Sequence, residues 1–324
     1  PPPREISAPM APSDSPDDRR GRTPGDGSSS PARDRLRAIG LMLLALCFFT
    51  CLDTVGKVLG AERGVPIAQL SWMRFVVQFT LLLLLVPAFG LLSVEKLFTT
   101  KRFSQQLVRS TLMAATTVFN FLALKTLRLD QTITVVFLAP LVVALLAGPL
   151  LGEWVGWRRF LAILVGFAGI LIAVRPGVGG IPIGIVYSFA GMLAYAFFML
   201  QTRHLAAYDP PLVTLFYSMF VGTLFGAPLA WLDWAWPAEW STWIMMLSLG
   251  ILGGIGHYLF ILAYGLAPAS AIAPFLYAQF LMMSGSGYLV FGHLPDLWTL
   301  VGAAIITASG IYLVHRERVT KGRE

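Results

Sequence analysis

The sequence predicts an all-α polytopic membrane protein: ten transmembrane helices in a five-plus-five inverted-topology repeat, with both termini cytoplasmic. Three observations carry that prediction. Of 324 residues, 56% are hydrophobic and 13% are charged, and the mean hydropathy of +0.71 is far more apolar than an ordinary soluble domain. Apolar stretches close to the ~20 residues needed to cross a ~30 Å hydrocarbon core recur from end to end. The second half of the chain also repeats the order of motifs in the first.

Residues 1–36 read as a disordered cytoplasmic tail, because Pro, Ser and Gly dominate and almost nothing apolar is available to bury. No A-x-A cleavage site follows the first apolar run, so that span is expected to be retained. Spans are then expected at 37–58, 66–89, 104–126, 130–151 and 158–175, followed by 182–203, 210–232, 241–264, 268–291 and 296–315. Turn residues punctuate them: "GVP" before the second, "RPGVGGIP" between the fifth and sixth, "DPP" before the seventh and "HLPD" before the tenth. Residues 316–324 form a basic cytoplasmic tail.

With the N-terminus inside, seventeen Lys and Arg fall on the cytoplasmic side and four outside, leaving Lys57, Arg74 and Arg109 within the membrane or at its edge. Retention of positive charge in cytoplasmic loops then fixes both termini inside. The same placement explains the net charge of +7 without nucleic acid. Cys47 and Cys51, one helical turn apart in one apolar segment, suit neither a disulfide framework nor a metal site and read as packing residues.

The repeat sets "LLGEWVGWRRFLAILVGFAGILIAV" (150–174) against "VFGHLPDLWTLVGAAIITASGIYLV" (290–314), and "GKVL" at 56 against "TRHL" at 202. Five spans per repeat is an odd number, so the second repeat (182–315) enters the membrane inverted relative to the first (37–175), a common plan of secondary transporters. Ten spans in this arrangement, "LSWMRF" in the second, "VVFLAPLVVALLAGPLLGE" in the fourth and "GI" closing the fifth and tenth, resemble the EamA-type family of the drug/metabolite transporter superfamily. The resemblance covers residues 37–315, and departs from the family pattern where "FGH" puts His293 in place of an acid. It implies a carrier in a bacterial inner membrane whose spans two, three, six, eight and nine surround a central cavity.

Charges and polar groups at depth are the candidate working parts. At ~1.5 Å rise per residue, Asp53 on the first span and Arg74 on the second reach similar heights in the outer third of the membrane. Arg74 has two readings, a cavity group or a structural tie to Asp53; Lys57, at i+4, is the alternative partner of Asp53. Trp72, Gln78, Asn120, Tyr195, His257, Tyr277 and Gln279 are candidate cavity residues that also suit hydrogen bonding or packing between helices. His257 has no acid in its own span and reads as a hydrogen-bonded core residue rather than a proton site. Pro140 and Pro274, on spans related by the repeat, are candidate hinges or simple bends. "GILGG" (250–254) and "SGSG" (284–287) read as helix contacts, and the Trp-rich "WLDWAWPAEWSTW" (231–243) as an interfacial belt.

Phosphate-loop, zincin and nucleophile-elbow motifs are absent, the four His are scattered, and no two carboxylates share a span, so no enzyme, cofactor or metal is expected. The resemblance implies small amphiphilic substrates, with amino acids first because the family includes aromatic amino-acid exporters; uptake of riboflavin or S-adenosylmethionine is the alternative within transport. Export or facilitated exchange is expected without an obligatory proton step, since Asp53 is the one acid well inside a span. A non-transporting scaffold or receptor is the reading from another class. Oligomeric state is not legible.

Overall fold

The computed structural model describes residues 31–139, 141–143, 145–146, 157–175, 181–205, 208–266 and 275–321. Pro140 and Pro274 lie outside these residues, as do residues 1–30 of the expected tail. The described residues form helices and connectors, without strands: α1 (Pro31–Lys57), α2 (Ile67–Ala88), α3 (Phe103–Thr126), α4 (Leu129–Val136), α5 (Trp157–Val174), α6 (Ile183–Leu205), α7 (Pro211–Leu232), α8 (Trp240–Leu266), α9 (Ala278–Phe291) and α10 (Leu297–Lys321). Among the described residues six helices, those labelled α1, α2, α3, α6, α7 and α8, are long and apolar enough to cross a membrane. Shorter apolar stretches occur at Leu129–Val143, Phe160–Ala173 and Leu297–Tyr312.

The bundle is apolar outside as well as inside. Leu84, Leu229 and Leu281 are 62%, 59% and 74% exposed, which water would penalise and lipid does not. Cys47 and Cys51 are exposed on this outer surface rather than packed within the protein.

Helix ends follow the local chemistry. Pro66, Pro182 and Pro210 precede α2, α6 and α7, where a missing N–H costs nothing because the first turn leaves its donors unpaired. Gly292 adopts the left-handed φ of 68° that closes α9, its N–H donating to the Tyr288 carbonyl at 2.9 Å. The Asp296 carboxylate accepts the Thr299 N–H at 2.8 Å at the start of α10. Helix α1 begins six residues earlier than its apolar edge, at Pro31, and α10 runs on to Lys321, so part of each expected tail is helical. Beyond Lys57, α1 widens into a π-turn, Val58–Glu62. Pro228 is accommodated within α7.

The main helix contacts have a regularity. The pairs α1–α8 and α3–α6 interchange when every helix is renumbered by five, as do α2–α8 with α3–α7 and α1–α9 with α4–α6; α2–α7, α4–α9 and α5–α10 map onto themselves. Small residues permit the closest approaches. The "GILGG" glycines face α2: a Cβ on Gly250 would meet Val77, and one on Gly254 would meet Gln78. In "SGSG" only part acts in contacts: Gly285 faces open space, while Ser286 hydrogen-bonds Thr54 at 2.5 Å. At the α5–α10 seam a Cβ on Gly302 would sit 2.5 Å from the Gly169 carbonyl oxygen and 2.5 Å from the Ala173 methyl carbon. Because backbone cannot yield as a side-chain tip does, Gly302→Leu is expected to cost about 1–3 kcal/mol. Thermal unfolding of the detergent-solubilised chain measures it, with Gly285→Leu as the neutral comparison.

Candidate functional site

Eight helices, all but the α5–α10 pair, line a cavity of about 360 Å³, at the lower end of the range for small-molecule sites. Its wall runs from Asp53 (α1), Asn120 (α3) and Thr132 (α4) to Asp209 and Pro211 in and beside the α6–α7 connector. No residue of the α1–α2, α3–α4 or α7–α8 connectors lines it. The cavity therefore approaches one end of the bundle, here the Asp209 end, and stops short of the Lys57 end.

The deep part of the wall is polar. The Asp53 carboxylate accepts a hydrogen bond from Asn120 Nδ2 at 2.9 Å. Arg74 Nη1 donates to Thr117 Oγ1 at 3.1 Å, and Nη2 lies 3.3 Å from His257 Nε2. Since a guanidinium can only donate, Nε2 accepts and the His257 proton sits on Nδ1. The His257 ring also meets Phe49 edge-on, centroids 5.0 Å apart, which holds the imidazole in place between an aromatic ring and a cation. Arg74 is 8% and Asp53 9% exposed, yet they make no direct ion pair with each other.

Lys57 does not pair with Asp53 either. Its Nζ donates to the Leu124 and Leu127 carbonyls at 2.9 and 2.6 Å and lies 5.4 Å from the Phe291 ring centroid. Those carbonyls belong to the last turn of α3, where acceptors lack helical partners and the helix dipole is negative, so a buried ammonium is satisfied there. Thus the expected Asp53 ion pairs are replaced by Asn120 for the acid, Thr117 and His257 for Arg74, and a helix end for Lys57. Lys57 and the Thr54–Ser286 hydrogen bond tie α1 to α3 and α9 above the cavity.

Toward the Asp209 end, the cavity contains a second arginine, Arg109, which the charge count had set within the membrane or at its edge without a role. Arg109 is 6% exposed; Nε donates to Thr202 Oγ1 at 2.7 Å, and Nη1 to Ser218 Oγ at 2.6 Å and the Thr214 carbonyl at 3.1 Å. Its guanidinium carbon lies 4.4 Å from the centroid of Phe198, which stacks in turn on Tyr195 at 6.0 Å. The signal was present: Arg109 stands seven positions into a helix long and apolar enough to cross a membrane, as Arg74 stands eight into its own. At the mouth Asp209 accepts from Thr100 Oγ1, Gln106 Nε2 at 2.8 Å and the Lys101 N–H at 3.3 Å. Burial opposes its charge, but these hydrogen bonds outweigh it and hold its carboxyl below the usual carboxylate range.

Of the candidate residues, Arg74, Asn120, Tyr195, His257 and Gln279 line the cavity together with Asp53. Three are turned elsewhere. The Trp72 indole donates to the Thr223 carbonyl at 2.8 Å and meets Trp234 edge-on. Gln78 is buried against the α8 glycines, its carboxamide atoms without hydrogen-bond partners among the described residues. Tyr277 packs edge-on against Phe137, centroids 4.9 Å apart, and its hydroxyl abuts Gly310 of α10.

The model of the EamA-like transporter family matches residues 36–175 and, again, residues 182–315. The chain belongs to the EamA-like transporter family. Full-length relatives accompany that match. A riboflavin transporter of Vibrio cholerae is 25% identical over 284 residues, covering 87% of this chain and 94% of that protein. An S-adenosylmethionine uptake transporter of Rickettsia conorii is 25% identical over 289 residues, 89% and 96% of the two chains. The pseudopaline exporter CntI of Pseudomonas aeruginosa is 26% identical over 286 residues, 87% and 97%. A solved crystal structure superposes with a TM-score of 0.60 at 19% identity, covering 86% of this chain and 96% of that one, and shares the fold. This EamA-like protein is thus a multi-pass helical membrane protein of a transporter family.

Proposed function

We propose that this chain is a secondary carrier of small amphiphilic metabolites, working by alternating access through the cavity between two inverted five-helix repeats. The observation that carries the reading is a mostly apolar, aromatic-lined cavity, with buried charged and polar groups on its wall, that reaches one end of the bundle and is tied shut above Asp53 by Lys57 and the Thr54–Ser286 pair. Support for the repeat comes from helix contacts that interchange on renumbering by five and from the double family match. The distribution of Lys and Arg supports ten spans with cytoplasmic termini in a bacterial-type inner membrane. Under that orientation the cavity faces the cytoplasm.

Amino acids, aromatic ones included, are the proposed substrates, moved by export or facilitated exchange. Asp53 and Arg74 on the wall suit the two charges of a zwitterion, while Phe49, Tyr195 and Phe198 suit an apolar body. A second reading, uptake of riboflavin or S-adenosylmethionine, is favoured by the names of the Vibrio and Rickettsia relatives. Counterflow in proteoliposomes separates them. Vesicles preloaded with unlabelled phenylalanine, riboflavin or S-adenosylmethionine are offered the same compound labelled, and fast, saturable entry of one is expected. Absence of exchange for all three, and for a wider panel of amino acids, refutes the carrier reading in favour of a scaffold or receptor.

A further inference from the structure

Two buried arginines face the cavity, and among the described residues neither touches a carboxylate. Arg74 is hydrogen-bonded to Thr117 and His257, Arg109 to Thr202, Thr214 and Ser218, all neutral groups. Arg109 Nη2 has no hydrogen-bond partner among the described residues and is not sealed from the cavity. A guanidinium is always charged, and one held at membrane depth without a contacting anion is costly. The cost falls when a carboxylate arrives, since charge-assisted pairs are short and strong where water is excluded.

Their spacing matters as much as their charge. Arg109 stands eight residues before Thr117, the partner of Arg74, on α3, a backbone rise of about 12 Å, so the two arginines are anchored at different heights of the bundle. Arg109 lies toward the Asp209 mouth, held by Thr214 and Ser218 of α7, and Arg74 lies beside Thr117 and His257. The mouth itself carries Asp209, whose charge is held by Thr100, Gln106 and the Lys101 backbone, with Lys101 and Arg102 beside it.

Resting on the reading of this cavity as a substrate path, we propose that it is a two-station anion path: a carboxylate on the substrate engages Arg109 first and Arg74 second. Asp53 then receives a donor or cationic group of the same molecule, and the Phe198–Tyr195 stack carries its apolar body between the stations. Arg109 is thereby a specificity-determining residue in addition to a tie among α3, α6 and α7. The substrate class that follows is a small molecule with a carboxylate and an apolar or aromatic body. A neutral flavin falls outside it.

The test compares 3-phenylpropionate with its neutral isostere 3-phenylpropanamide on the full chain, by intrinsic tryptophan fluorescence at equilibrium and in stopped flow. Wild type is expected to bind the carboxylate at least tenfold more tightly than the amide, and Arg74→Gln to bring the two to parity. Arg109→Gln is expected to slow association of the carboxylate at least tenfold, with Arg109→Lys restoring most of the rate; a purely structural Arg109 would not distinguish the two probes. Parity of the probes in wild type, or binding of neither, overturns the proposal without recourse to any variant, as does unchanged carboxylate association in a folded Arg109→Gln. Carboxylate-selective binding without flux in liposomes upholds the proposal and removes the carrier reading. Flux of riboflavin or other substrates without carboxylate preference does the reverse.

Discussion

Arg74→Ala is expected to reduce saturable exchange by about 100-fold while leaving the melting temperature in detergent within a few degrees of wild type. The two effects separate because they have different sources. Among the described residues Arg74 makes hydrogen bonds to Thr117 and His257 only, worth about 1 kcal/mol or somewhat more each. Against that stands the expense of keeping a charge at depth without a contacting anion, which the alanine variant relieves. The net change in stability is therefore small. Substrate binding loses a charge-assisted contact in a water-poor site, about 1.5–3 kcal/mol, or roughly 10–150-fold. Counterflow and thermal unfolding on the same preparations read both. Stability and exchange falling together would make Arg74 a structural tie.

The second large effect concerns closure of the Lys57 end. Thr54 Oγ1 and Ser286 Oγ are 2.5 Å apart, so cysteines at both positions would bring two sulfurs into disulfide reach without moving α1 or α9 far. Cys51 and Cys47, exposed about one and two turns earlier on α1, must first be replaced by serine. In that background Thr54→Cys with Ser286→Cys is expected to abolish exchange on oxidation and recover it on reduction, whereas either single variant keeps at least half of it. A rocking carrier must separate α1 from α9 to admit substrate at that end. Full exchange in the oxidised pair would show that the seam never opens.

Six of the expected spans were legible in the sequence because the bilayer demands length and apolarity, and both can be counted. Helix α2 was expected at 66–89 and is Ile67–Ala88; α7 was expected at 210–232 and is Pro211–Leu232. On the cavity wall Asn120 meets Asp53 and Arg74 meets His257. Azimuth was not legible. A helix that packs against protein on one side and lipid on the other is apolar all round, so its periodicity does not announce which face looks inward. Hence Trp72 and Gln78, close to Arg74 on the same helix, point instead to α7 and α8.

Lys57 was misassigned for a related reason. The i+4 rule concerns neighbours on one helix, whereas the acceptors that satisfy Lys57 lie at the end of α3, nearly seventy residues away in the chain. Arg109 was visible as a charge in an apolar helix, but its partners come from α6 and α7, which no local pattern connects to it.

The measurement that bears most directly on the carrier reading is labelling of a single cysteine at Thr116, on the cavity wall between Arg109 and Asn120. It is carried out in the Cys47→Ser, Cys51→Ser background with a membrane-impermeant maleimide applied from each side in turn. Alternating access predicts labelling from the Asp209 side at rest, and slower labelling from the Lys57 side. Adding the Thr54–Ser286 disulfide should stop only the Lys57-side reaction. Equal labelling from the Lys57 side with that disulfide closed, or none from either side, would contradict the account.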